Sequence, residues 1–327
     1  MAVKLRVPLS DNLGYVPPVL GYLATVTQFT EGFRHYRVRH PGGIFNLQLG
    51  DFATNLLSLT QSVNSESLFN SEPEANGDLI RKLVATLFAF SNYYNAAYDI
   101  ILGCCKPEDS GPVVDTWKWP KEHGYKAEGV YKSGLSEAKF FLDIFNELKH
   151  SSKMFGTVVL TRLSGKVKAC GYYLESVDET GAIIPDSKYH GDERGARFAS
   201  SFNRDLRWLY CLLYKIADVL AEVLKQHFLE VYSAELSFDA EHHEDGALLE
   251  KLFHVVESLP LVFLPNEARK TVPTPRLTLR PTNKFLLFDN YRIPNGQEAR
   301  GAYDVQVLLP RPDGFSRSWG LPYHRRA

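Results

Sequence analysis

Residues 133–156, SGLSEAKFFLDIFNELKHSSKMFG, contain the change of period that decides the fold class. Their apolar side chains recur at spacings of three and four, which predicts a helix with one buried face. These side chains are Leu135, Ala138, Phe141, Leu142, Phe145 and Leu148. The next segments, TVVLTRL and KVKACGYYLESV, alternate with a period of two around Ser164 and Gly165. This pattern predicts a β-hairpin at residues 156–177.

Four further tracts outside this stretch keep a helical period. They are residues 46–68, 78–102, 198–228 and 246–258. Asp78 is expected to cap the second of them, because its carboxylate can accept a hydrogen bond from a free backbone N–H group. Helices and strands are segregated along the chain rather than alternating as β-α units. The sequence therefore predicts an α+β, mainly helical fold, with a helical bundle core over residues 46–259 interrupted by the hairpin.

The regions outside these tracts carry weaker signals. Residues 1–45 form a mixed N-terminal segment, in which residues 19–33 fit a short helix or a strand equally well. Scattered prolines and glycines predict a long loop over residues 106–131. Nine of the 18 prolines fall after residue 259, among short strand-like pieces. Residues 260–327 are therefore predicted to be a strand-rich, proline-rich region with extended arms.

Composition narrows the class of protein. The 327 residues are 44% hydrophobic and 13% aromatic, which is typical of a globular chain. A formal net charge of -1 provides no overall basic field, so any nucleic-acid binding requires a local patch. The four cysteines form no C-x-x-C pair, which favours a reducing compartment and a cytoplasmic protein. No apolar run approaches the roughly 20 residues of a spanning helix, so no membrane contact is expected.

Several common catalytic motifs do not occur in the sequence. It contains no P-loop, no G-x-G-x-x-G after a strand, no G-x-S-x-G and no H-E-x-x-H. These absences disfavour P-loop nucleotide hydrolysis, dehydrogenase chemistry and serine-hydrolase chemistry. The run from Asp239 to Asp245 could hold a metal, but a contiguous acidic run before a glycine is more typical of a charged loop. No metal and no cofactor are predicted.

Asn146 and His150 form the strongest candidate site. They stand four residues apart on the predicted helix, so their side chains project from nearly the same side. Such a pair can act on one ligand, or its members can bond each other inside a packed core. The sequence alone leaves both alternatives open.

The segment FNELKHSS, residues 145–152, resembles the R-N-x-x-x-x-H motif of HEPN domains. It is more similar to the Asn-x-x-Lys-His variant of HEPN-like bacterial proteins. The resemblance implies a helical domain with metal-independent endoribonuclease activity at a dimer interface, in a toxin or antiviral defence system. It implies that His150 moves the proton while a ribose 2′-hydroxyl attacks, and that Asn146 orients it. Phe145 stands where the motif has arginine, so Lys149 is the nearest cation for phosphate.

Two other basic positions are candidates for contact with an RNA backbone. Arg34 and His40 bracket the most basic stretch of the first half, RHYRVRH, although Pro41 keeps His40 out of helical dihedrals. Arg207 lies one turn after Asn203 on the predicted long helix, where the two could complete an anion site. Salt bridges at the edge of the core are the alternative for Arg207.

Two functions follow from these observations. The first is an HEPN-like protein that binds or cleaves RNA, as a homo-oligomer or with a partner protein. The second is a non-catalytic protein-protein interaction subunit of a larger assembly. The phenylalanine in place of the motif arginine supports the second, as do the near-neutral charge, Trp117 and Trp119, and the extended tail ending GLPYHRRA.

Overall fold

The structure is a computed structural model, in which the chain is described over most of its length. The described residues are 5–9, 14–64, 73–107, 113, 115–116, 118–151, 153–162, 168–191, 197–239, 246–264, 267, 272–279, 284–291 and 303–308. Trp117, the predicted hairpin turn, residues 241–245 and the GLPYHRRA tail lie outside these residues.

Helices make up most of the described chain. They are α1 (Val19–Leu23), α2 (Gly32–His35), α3 (Pro41–Asn64), α4 (Pro73–Gly103), α5 (Trp119–Glu122), α6 (Ala127–Gly134), α7 (Lys139–His150), α8 (Ser187–His190), α9 (Phe202–Tyr232) and α10 (Gly246–Ser258). Short 3-10 turns precede α2 and α7 at Val26–Gln28 and Ser136–Ala138. Residues 19–33, which fitted helix or strand, are thus helical. None of the helices in the described residues has the length and apolarity needed to cross a membrane.

The strands form two small antiparallel sheets. They are β1 (Leu5–Leu9), β2 (Phe155–Arg162), β3 (Lys168–Val177), β4 (Ile183–Pro185), β5 (Ser200–Ser201), β6 (Val272–Leu279), β7 (Lys284–Tyr291) and β8 (Tyr303–Leu308). One sheet has the order β1-β7-β6. The other has the order β4-β3-β2-β8, with β5 also paired to β3. The mainly helical α+β class predicted from the sequence is confirmed.

The predicted hairpin forms the centre of the second sheet. Val158 pairs with Gly171 and Val159 with Cys170 in an antiparallel register. The sheets also join distant parts of the chain, since β1 pairs with β7 and β2 pairs with β8. The N-terminal segment and the C-terminal region are therefore each hydrogen-bonded to other regions through backbone ladders.

Two predictions about element boundaries were wrong. Asp78 lies inside α4, which begins at Pro73, because proline at a helix start forgoes only an N–H group that would lack an intrahelical partner. The predicted loop at residues 106–131 contains α5 and most of α6. Tyr131 of α6 is fully buried, and its hydroxyl donates to the carbonyl of Tyr94 at 2.9 Å. Burial against α4 thus stabilises a helix in a segment whose glycines and prolines predicted a loop.

The long helix α9 lies at the centre of the core. Most of its residues are buried, and the Tyr93 hydroxyl of α4 donates to the carbonyl of Leu213 at 2.9 Å. Helix α7 packs on α4 through Phe141, whose ring centroid is 5.8 Å from that of Phe90. Because α7 is buried along one face only, its opposite face is free to carry polar side chains.

Candidate functional site

Helix α7 has one apolar and one polar face, as its sequence predicts. Phe141 and Ile144 are buried, whereas Asn146, Lys149 and His150 are exposed on the last two turns. Among the described residues, none forms a side-chain hydrogen bond or ion pair with Asn146, Lys149 or His150. Residues four apart on a helix have Cβ atoms about 5–6 Å apart, so one ligand can contact both Asn146 and His150.

Glu147 connects this end of α7 to two lysines from other elements. Its Oε1 lies 2.9 Å from the ammonium of Lys188, and its Oε2 lies 3.2 Å from that of Lys153. Hydrogen bonds first from Lys188 and then from Lys153 lower the pKa of the Glu147 carboxyl to about 2. Because Glu147 is three residues before His150, both lysines are held at the same end of the helix as the imidazole.

Residues 186–189 hold Lys188 in this position. Asp186 accepts the backbone N–H of Lys188 at 2.8 Å and caps α8. The same carboxylate lies 2.6 Å from the ammonium of Lys153. The hydroxyl of Tyr189 is 3.3 Å from the Glu147 carboxylate, and the Lys188 ammonium lies 4.8 Å from the centroid of the Tyr189 ring. Acidic and basic side chains from three segments, namely α7, residue 153 and residues 186–188, thus meet at the C-terminal end of α7.

An exposed apolar patch lies beside this polar face, and we call Val84 and Phe88 of α4 the α4 patch. Their exposures are 38% and 53%, which is high for large apolar side chains. The ring of Phe88 contacts that of Phe145 on α7, with centroids 5.7 Å apart. Lys149 follows Phe145 by one turn on the same side of the helix. The α4 patch is therefore adjacent to the exposed groups of α7.

Arg34 and His40 lie on different elements from α7. Arg34, in α2, pairs with Glu31 at 2.5 Å. His40 precedes α3, and its Nδ1 accepts the N–H of Gly42 at 3.1 Å, which caps that helix. Burial lowers the pKa of His40. Among the described residues, no hydrogen bond or ion pair joins Arg34 or His40 to the exposed groups of α7.

Arg207 is buried in α9 with an exposure of 1%. Its guanidinium donates to the carbonyl of Asn203 at 3.0 Å and, from its other terminal nitrogen, to the carbonyl of Leu259. Burial lowers its pKa to about 10. Both expectations for Arg207 are therefore wrong: among the described residues it forms no salt bridge, and burial leaves its guanidinium to hydrogen-bond backbone carbonyls instead of forming an anion site with Asn203.

No group of three or more His, Cys, Asp and Glu side chains within the described part of the chain is arranged to hold a metal ion. The run that the sequence offered for this purpose lies almost wholly in residues 241–245, outside that part. Comparison of the chain with protein-family models, with curated protein sequences and with solved structures found no match.

Sequence reasoning missed the two lysines that contact Glu147. Lys153 follows α7 after a break in the helix, and Lys188 lies 41 residues beyond Glu147. Helical spacing therefore gives no signal for either contact. Only the hairpin between them offers a hint, because it returns the chain to the end of the helix that precedes it.

Proposed function

We propose that the exposed face of α7 binds RNA and that His150 transfers a proton in metal-independent RNA cleavage. The observation that supports this proposal best is the joint exposure of Asn146, Lys149 and His150 on one helix end. A general base must be accessible to its substrate, and no side chain of the described residues hydrogen-bonds the imidazole of His150. The similarity of residues 145–152 to the HEPN motif supplies the reaction class.

In this reaction, the imidazole of His150 takes the proton from a ribose 2′-hydroxyl. The 2′-oxygen attacks the adjacent phosphorus, the bond from phosphorus to the 5′-oxygen breaks, and that oxygen takes a proton from water. The imidazolium of His150 then gives its proton to solvent. The products are a 2′,3′-cyclic phosphate and a 5′-hydroxyl. Asn146 orients the imidazole or the attacking hydroxyl, while Lys149 and Lys188 offset the charge of the phosphate.

We further propose that two copies of the chain meet at this face. The HEPN-like motif implies a site shared by two protomers, and the α4 patch supplies apolar surface beside it. A symmetric contact across the patch would bring two copies of α7 together around one RNA strand. The cysteines of the described chain are unpaired and buried, which fits a cytoplasmic location. The proposed role in a toxin or defence system rests on the resemblance to the HEPN motif alone.

RNA cleavage tests the nuclease directly. Purified protein is incubated with a mixed RNA pool in the presence of EDTA, beside His150→Ala and the matched surface control His254→Ala, an exposed histidine of α10. We expect His150→Ala to lower the cleavage rate by about 100-fold or more, and His254→Ala to leave it unchanged. Absence of cleavage by the unaltered protein, or equal rates in the two variants, would rule out the nuclease.

The alternative is a non-catalytic interaction subunit, and the exposure of Val84 and Phe88 favours it. Light scattering after size-exclusion chromatography compares Phe88→Ser with Leu47→Ser, a similarly exposed leucine of α3. A shift to smaller species in Phe88→Ser alone assigns assembly to the α4 patch. If assembly depends on Phe88 and the unaltered protein cleaves no RNA, the results support a non-catalytic interaction subunit over a nuclease.

A further inference from the structure

An open cleft lies between α3, α4, α6 and Thr116. Its volume of about 660 Å³ falls in the range of small-molecule sites. Three carboxamides line it, namely Gln48 from α3 and Asn92 and Asn95 from α4. Asn95 donates to the hydroxyl of Ser91 at 3.3 Å. Gln48 and Asn92 form no side-chain hydrogen bond with any described residue, so both have their donors and acceptor available for a ligand.

Part of the lining is apolar, and we call this part the floor of the cleft. Ile44 and Ala96 are buried there, and Ala96 leaves space because its side chain is a single methyl group. Tyr98 adds an aromatic ring that is itself mostly buried. A flat ligand with an apolar face and a polar edge can therefore contact the floor with the face and the carboxamides with the edge.

Charged and hydroxyl groups complete the lining. Asp99 continues the line of Asn92 and Asn95 along α4, and Thr116 comes from the segment before α5. Lys132 of α6 lies with its ammonium 5.5 Å from the centroid of the Tyr98 ring and pairs with Glu128. Because Lys132 is already paired with Glu128, the Asp99 carboxylate leaves the lining with a small negative charge, which disfavours an anionic ligand.

We propose that this cleft binds a nucleoside, with adenine as the preferred base. Asparagine and glutamine carboxamides pair with the amino group and N7 of adenine through two hydrogen bonds. The apolar floor receives the face of the base, and the Asp99 carboxylate accepts from ribose hydroxyls. Four separate elements of the chain converge on this space, which distinguishes the cleft from a solvated stripe on a single helix.

Titration calorimetry with the four free nucleosides tests the proposal on the full chain. Adenosine is expected to bind more tightly than guanosine, cytidine or uridine. Asn92→Leu keeps the approximate volume but removes the donor and the acceptor, and we expect it to weaken adenosine binding about tenfold. Asn46→Ala is the matched control, because Asn46 is an exposed asparagine of α3 that does not line the cleft.

Thermal melting followed by circular dichroism shows whether both variants remain folded. If Asn92→Leu is unfolded, Asn95→Leu replaces it as the test of the cleft carboxamides. The proposal is overturned if the unaltered protein binds none of the nucleosides, if adenosine is not preferred, or if adenosine affinity is equal with and without the cleft carboxamides.

This binding does not depend on RNA cleavage. His150→Ala should bind adenosine as the unaltered protein does, since His150 is on α7 and does not line the cleft. If the protein binds adenosine but cleaves no RNA, the proposed nuclease is refuted and the proposed nucleoside site stands. If it cleaves RNA but does not bind adenosine, the nucleoside site is refuted and the nuclease stands.

Discussion

Helices α7 and α9 carry the same local pattern with opposite outcomes. In α7, Asn146 is followed four residues later by His150, and both side chains are exposed. In α9, Asn203 is followed four residues later by Arg207, and both are buried. The Asn203 amide donates to the carbonyl of Val262 at 3.2 Å, while Arg207 donates to the carbonyl of Leu259. The first pair is available to a ligand, whereas the second pair hydrogen-bonds the segment that follows α10 to the start of α9.

The difference arises from what covers each helix. A spacing of four places two side chains on one side of a helix, but it does not determine whether that side faces solvent. The segment after α10 passes over the start of α9 and presents backbone carbonyls that need donors. Among the described residues, no segment crosses the outer face of α7 in this way. Burial by distant chain, rather than local spacing, separates a structural pair from a candidate site.

The largest effect that would test this comparison is loss of the buried guanidinium. Arg207→Ala removes both donors and leaves the Leu259 carbonyl buried without its partner, together with a cavity. We expect the free energy of unfolding to fall by about 3 kcal/mol, from the carbonyl left without a donor and from the cavity. Urea denaturation measures it. His150→Ala on α7 should change the same quantity by less than about 0.5 kcal/mol, and a similar loss in both would contradict the comparison.

The elements that could be predicted are those whose period is visible in the sequence. Residues 246–258 form α10 as predicted, and the alternating segments form β2 and β3. The polar face of α7 also follows from its spacing. In contrast, α6 was missed because its stability comes from burial of Tyr131 on α4, which local composition does not encode. The contact of Lys188 with Glu147 depends on how the chain returns after the hairpin, and no local pattern specifies it.

The second test uses pH to measure what burial of a histidine in the core costs. His190 is 3% exposed, and its Nε2 accepts the backbone N–H of Leu174 at 2.8 Å. Burial lowers its pKa from 6.5 to about 4, against a smaller opposing effect of Asp186. Between these values the unfolded chain binds a proton that the folded chain does not. Stability is therefore full above pH 6.5 and falls by up to about 3 kcal/mol as the pH approaches 4.

The variant His190→Gln isolates this contribution. Its side-chain oxygen can accept the same N–H group but does not titrate in this range. We expect it to be less stable than the unaltered protein at pH 7 and to lose less stability between pH 6.5 and 4. The buried His227, whose pKa is also lowered by burial, contributes equally to both proteins and cancels in the difference. Parallel curves of unfolding free energy against pH would show that His190 does not titrate as inferred.

A smaller effect distinguishes the two asparagines. Asn203→Ala removes the donor to the Val262 carbonyl in a buried setting, so we expect a loss of about 1–2 kcal/mol in the free energy of unfolding. Asn146→Ala is the matched change at an exposed position and should cost less than about 0.5 kcal/mol. Thermal and urea unfolding of both variants measure the two values. Equal costs would mean that the exposure of α7 in solution differs from that in the structure.

The smallest expected effect concerns the charge of the α7 face. Each lysine that contacts phosphate releases counterions on binding, so Lys149→Ala should weaken binding of a short single-stranded RNA and lower the slope of log Kd against log salt by about 1. Fluorescence anisotropy across a salt series measures that slope. Lys251→Ala, an exposed lysine of α10, is the control and should leave the slope unchanged. A slope that responds equally to both substitutions would place the RNA contact elsewhere on the surface, and α7 would then lose its distinction from α9 as a binding helix.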